Sequence, residues 1–75
     1  MKVVKIKKID YIGEDLEFGA GYCFVNIYLE DDKRLNTNII HRTINKRVLE
    51  VLLKTNEMPF HMIDQKYKNY DKKYF

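Results

Sequence analysis

Hydrophobic and polar positions give the first half of the chain a two-residue rhythm and a later segment a helical one. The opening run, "KVVKIKKIDYI", is β-branched and reads as extended. Its alternation slips in the middle: Val4 and Ile6 share one parity, Ile9 and Tyr11 the other. One extra residue near Lys7 and Lys8 restores all four to a single face, which is what a β-bulge does. Such a bulge with exposed lysines also suits an edge strand. A loop punctuated by Gly13, Gly19 and Gly21 follows, and then "YCFVNIYLED", Tyr22 to Asp31. Both parities of that stretch are largely apolar. Cys23, Val25, Ile27 and Leu29 point one way; Tyr22, Phe24, Asn26 and Tyr28 point the other. A strand with one wet face does not read like this, so the second face calls for a cover.

The turn "EDDKR" leads to a further extended run, "LNTNIIHR". A hairpin loop of odd length, Asp31 to Lys33, sets Leu29 against Leu35, Ile27 against Thr37, Val25 against Ile39 and Cys23 against His41. An even loop opposes Val25 and Ile27 to Asn38 and Asn36, a poor match for a core face. The odd loop is therefore the expectation. "TINKRVLEVLLKTN" is the clearest helix: Ile44, Val48, Val51, Leu52 and Thr55 form an apolar stripe that Leu49 and Leu53 widen. Thr43 is its expected N-cap, and Asn56 ahead of Pro59 its stop. The helix should lie across Cys23, Val25, Ile27 and Leu29. Beyond it, "FHMID" offers a short fourth strand, and "QKYKNYDKKYF" a basic, tyrosine-rich tail. The pattern thus predicts an α+β domain over residues 1–65, with a three- to four-stranded antiparallel sheet in β-β-β-α-β order, one packed helix, and a tail over 66–75.

One helix covers one side of such a sheet. The expected register leaves Tyr22, Phe24, Asn26 and Tyr28 on the other, beside Asn36, Asn38, Ile40 and Arg42. Exposed apolar patches of this kind mark interaction sites. Three occupants suggest themselves. Tyr67, Tyr70 and Tyr74 are spaced to form a stripe that the tail could press onto the sheet. A protein partner, either a second copy in a homodimer or a different target, suits the aromatic and arginine content. Single-stranded nucleic acid suits rings that stack bases beside lysines, although no RNA-recognition signature is present.

Composition narrows this further. At 75 residues the chain is one small domain; chains near this size bury only about 60% of their unfolded surface, so association is a natural remedy for a thin core. Cys23 is the only cysteine, which rules out an internal disulfide and fits a reducing compartment. The N-terminus is too short and too interrupted by lysine for a signal peptide or a membrane span, and the expected location is cytoplasmic. Heavy use of Lys, Asn, Ile and Tyr suggests A/T-rich codons, hence a low-GC bacterium or its phage or mobile element. The net charge of +3 is segregated: every charged residue from Asp10 to Asp32 is acidic, and the flanks are mainly basic. A mixed surface of this kind points only weakly to nucleic acid.

Catalytic chemistry finds little support. Serine is absent. Cys23 opposite His41 is the one pair resembling an activated thiol, and the register places both against the helix, where a buried thiol is the ordinary reading. Glu14, Asp15 and Glu17 read as a solvated loop, "GAG" as strand entry, and His61 as a packed side chain. No metal or cofactor is expected. The expectation is a small non-enzymatic protein-binding module, a regulator or inhibitor acting on a host protein, with a nucleic-acid-binding sheet face as the alternative.

Overall fold

The computed structural model describes residues 2–69. Four strands form one antiparallel sheet in the order β3-β2-β1-β4: β1 (Val3–Glu14), β2 (Tyr22–Leu29), β3 (Ile39–Asn45) and β4 (Glu57–Pro59). A single helix, α1 (Lys46–Thr55), joins β3 to β4, and two 3₁₀ turns (Phe60–Met62 and Gln65–Tyr67) follow. The architecture is the expected α+β one, in the expected element order.

The first strand is long because its bulge lets it serve two neighbours. Ile6 pairs with Leu29 and Lys8 with Tyr28, so Lys7 is the extra residue. A second irregularity lies between Tyr11 and Gly13. Val3, Val4 and Lys5 pair with β4, placing the N-terminal part of β1 inside the sheet. Beyond the bulge β1 pairs with β2 alone, and only this part is an edge. Val4 and Ile6 are buried and Ile9 packs against them; Tyr11 shares their face but projects into solvent.

The β2–β3 register corrects the sequence reading. Cys23 pairs with Ile44, Val25 with Arg42, Ile27 with Ile40 and Tyr28 with Ile39. Leu29 does not meet Leu35, nor Cys23 His41. Instead of a tight turn, residues 30–38 form a loop organised by their own contacts. The Asp32 carboxylate takes hydrogen bonds from the Arg34 backbone N–H (2.9 Å), Nε (3.0 Å) and Nη2 (2.7 Å). Leu35 turns into the core and bridges to Lys68. Starting β3 later brings Ile40 and Ile44 to the buried face, with Arg42 between them donating to the Met62 carbonyl.

Because β3 runs through Thr43 and Ile44, the helix starts late. Its N-cap is Asn45, whose side chain accepts from the Arg47 N–H, rather than Thr43. Asn56 ends it in the left-handed region (φ 54°), which asparagine tolerates better than most side chains. Leu52 is buried while Val48 and Leu49 pack partly, so the inner side of the stripe meets the sheet. Val51 and Leu53 stay exposed. The fourth strand is Glu57–Pro59 and not "FHMID"; Phe60–Met62 is a 3₁₀ turn, and His61 is exposed rather than packed.

Residues 66–69 are bonded into the fold. Asn36 N–H donates to the Tyr67 carbonyl (2.9 Å), and Asn69 N–H to that of Arg34 (2.8 Å). The Phe60 ring lies between two cations, with the Arg34 guanidinium 4.6 Å and Lys68 Nζ 4.5 Å from its centroid.

Candidate functional site

Tyr22, Phe24, Asn26 and Tyr28 share the outer face of β2, away from the helix. The neighbours that β3 contributes there are Asn45, Thr43, His41 and Ile39. Ile40 and Arg42, expected on this face, lie on the opposite one, because the register differs by an odd number of residues. Asn38 precedes β3 and donates nothing to the face; its carbonyl accepts from the Leu29 N–H. Asn36 likewise precedes β3 and is bonded to the Tyr67 and Lys66 carbonyls, so four of the eight residues expected on this face are together.

Much of this face is half-buried by contacts from within the chain. The glycine-punctuated loop folds back over one end of it. Asp15, expected in solvent, is buried: its carboxylate accepts from the Thr43 hydroxyl (2.7 Å) and the Phe18 N–H (3.1 Å), while its own N–H donates to the Tyr22 carbonyl (3.0 Å). Gly21 (φ 84°) supplies the backbone turn that re-enters β2, a conformation costly for a residue with a Cβ. Phe18 then rests on Tyr22, with ring centroids 4.6 Å apart. Asn26 and His41 hydrogen-bond side chain to side chain. Lys8 Nζ sits 4.6 Å from the Tyr28 ring centroid and 3.9 Å from Asp10.

Among the four β2 side chains Phe24 is the exception, 47% exposed between the loop and the Asn26–His41 pair, while Tyr22, Asn26 and Tyr28 are half-buried. The same end of the β1–β2 hairpin carries Ile12 (59%), Leu16 (72%) and Phe18 (64%), all largely exposed. Sequence reading missed these three. The signal for Phe18 was its i, i+4 spacing from Tyr22 across the glycines; Ile12 is turned outward by the second bulge, which no parity count anticipates.

The tail residues are divided. Tyr67 docks not on this face but at the rim of β3, where its hydroxyl accepts from His41 N–H and donates to His41 C=O, both at 3.2 Å. Tyr70 and Tyr74 lie outside the described residues. The Cys23–His41 pair is not assembled: the buried thiol points toward the Ile44 carbonyl (3.5 Å), and His41 is on the other face. Among the described residues no group of three or more His, Cys, Asp or Glu side chains is placed to hold a metal ion. None of their helices is long and apolar enough to cross a membrane. No protein-family model, curated protein or solved structure matches the chain.

Proposed function

We propose that this chain is a small non-enzymatic protein-binding module, a regulator or inhibitor that engages a protein partner through the β1–β2 hairpin end. The observation that carries the reading is the exposed set Ile12, Leu16, Phe18 and Phe24 on a domain of this size. Burying each such side chain contributes roughly 1.5–3 kcal/mol, enough for a few anchors to hold a partner. Glu17 borders the same end beside two ion pairs, Asp10 with Lys8 (3.9 Å) and Glu14 with Lys46 (2.9 Å), which suits a partner with a charged rim of mixed sign. The composition remains compatible with a phage or mobile-element product acting in a low-GC host.

Two features weigh against single-stranded nucleic acid on this face. The rings of Tyr22 and Tyr28 are already engaged by Phe18 and Lys8, which leaves Phe24 as the one free ring of the three expected to stack bases on β2. Lys8 and Lys46 are paired with Asp10 and Glu14, so neither ammonium is free to hold a phosphate there.

The test is comparative capture from a low-GC bacterial lysate with tagged wild type, Phe24→Asp, Phe18→Asp and Val51→Asp. Val51 is equally exposed but lies on the helix. The reading expects one protein to be retained by wild type and Val51→Asp and lost with the two aromatic variants, all four chains being folded by circular dichroism. Retention by Phe24→Asp and Phe18→Asp at wild-type levels would sink it.

A further inference from the structure

A second apolar surface shares no residue with the hairpin end. It is a groove along α1, with Val48, Val51 and Leu52 on one wall and Val3, Pro59 and Met62 on the other, and it holds about 460 Å³. From Arg47 to Thr55, both of which line it, the helix rises about 12 Å. The mean cross-section is then about 40 Å², roughly half that of a helix 10 Å across. Size and walls are those of a small-ligand site.

Polar groups along the groove are satisfied, with one exception. Hydroxyls close the outer strand edges of this fold: Thr37 bonds both N–H and C=O of Ile39 (3.2 and 3.3 Å), and Tyr67 does the same for His41 at the β3 edge. Beside the groove, Thr55 closes β4 in the same way, bonding the N–H and C=O of Glu57 (3.4 and 3.2 Å). The Glu57 carboxylate pairs with Lys5 (3.6 Å), and Pro59 has no N–H to offer. Among the described residues the Arg47 guanidinium has no hydrogen bond or ion pair, and the first turn of α1 around it holds no acid.

These features choose between occupants. A peptide strand needs main-chain partners, which a closed β4 edge does not supply. A partner helix has about twice the section of the groove. A second copy on a two-fold axis through the groove brings an equal hollow and a second Arg47. A polymethylene chain is slim and asks for no hydrogen bonds, and an anionic head answers the one unpaired cation. Direction follows from charge: the head belongs at Arg47, by the positive end of α1, and the tail toward Glu57.

From this we infer that the groove along α1 binds a medium-chain aliphatic carboxylate, its head on Arg47 and its chain between Val51 and Pro59. The guanidinium fork matches a carboxylate. A chain of about ten carbons, with bonds of about 1.5 Å, fills the length. The inference goes beyond the protein-binding reading and uses none of its residues.

The probes are the sodium salts from hexanoate to tetradecanoate, with decanol as the neutral control, titrated below their micellar concentrations and read by NMR. Methyl shifts should move at Val48, Val51 and Leu52. Affinity should rise at least about twofold per added CH₂, against about fourfold for complete burial, and level off beyond about dodecanoate. Decanol should bind about threefold more weakly than decanoate, and Arg47→Gln should abolish that difference. Val51→Asp should abolish binding, while Leu53→Asp, exposed on α1 but outside the groove, should leave it unchanged. Affinity independent of chain length, or equal binding of decanoate and decanol to wild type, overturns the inference. So does sedimentation with phosphatidylglycerol vesicles in a chain that decanoate does not saturate, which would mark a membrane surface instead. The two readings fail separately: Phe24→Asp should keep decanoate and lose the captured protein, and Val51→Asp the reverse.

Discussion

Asp15 shows what a single side chain decides here. It ties the glycine-rich loop to Thr43 across β2, and so sets where Phe18 and Leu16 stand. Replacing Asp15 with Ala leaves the Thr43 hydroxyl and the Phe18 N–H without their acceptor. We expect a loss of about 1–3 kcal/mol in urea unfolding. A double-mutant cycle with Thr43→Val should return a coupling of at least about 0.5 kcal/mol. Asp32 differs because its partner is charged. Hydrogen bonds from the Arg34 side chain hold the Asp32 carboxyl below its ordinary range, more than offsetting the opposing effect of burial. A depressed folded-state pKa stabilises the fold above the unfolded value, about 3.9, and that stability is lost as pH falls through the folded value. The stability gap between wild type and Asp32→Asn should therefore be flat from pH 7 to about 5 and shrink below about 4. A gap that persists unchanged at low pH would show that the carboxylate charge contributes nothing. Neither role was legible in the sequence, where both acids sit in polar stretches and their partners are fixed by tertiary contacts.

At the scale of elements, the legible features were those written in local pattern. The Lys7 bulge came from a parity slip, and the element order from periodicity. What failed was the register of β3. Ile44 stands at i, i+4 from Val48 and so completed a helical stripe on paper, yet it is the last buried residue of a strand. Parity chooses a register only when loop length is known. Here Asp32, Arg34 and Leu35 build a longer loop through contacts with Val3 and Lys68 that are remote in sequence. The wrong register then carried Ile40 and Arg42 into the candidate face, whereas the members of β2 survived because their facing needs only local alternation. The closure of the β3 edge was equally illegible, and it yields a local prediction. Tyr67→Phe removes both bonds to His41 while keeping the ring. It should cost about 1 kcal/mol and accelerate amide exchange at His41, leaving Ile39 protected by Thr37. Equal exchange at His41 in both chains would mean that the hydroxyl does not seal the edge.

Across the whole molecule, the polar segment after β4 works as structure. A chain this small has little core to spare, and the described residues recruit Ile63, Tyr67 and Lys68 to complete it. Leu35 is held between the core and Lys68, Asn36 by Tyr67, and the cation pair around Phe60 joins the 30–38 loop to the same segment. The loop, already folded on itself by the Asp32–Arg34 contacts, is thereby also fixed from the C-terminal side, and β3, which follows directly from it, is fixed in turn. Ending the chain after residue 65 should then do more than trim an exposed end. It deletes the partners of Leu35, Asn36 and His41 together, at a net cost of several hydrogen bonds worth about 1 kcal/mol each. For a domain of this size each kcal/mol moves the melting temperature by about 4–8 °C, so the chain ended at 65 should melt at least about 10 °C below one ended at 69. Its amide exchange should quicken along β3 before β1. Equal melting temperatures for the two would show that β3 holds its place through β2 alone, and that the segment beyond β4 is decoration on a sheet already complete.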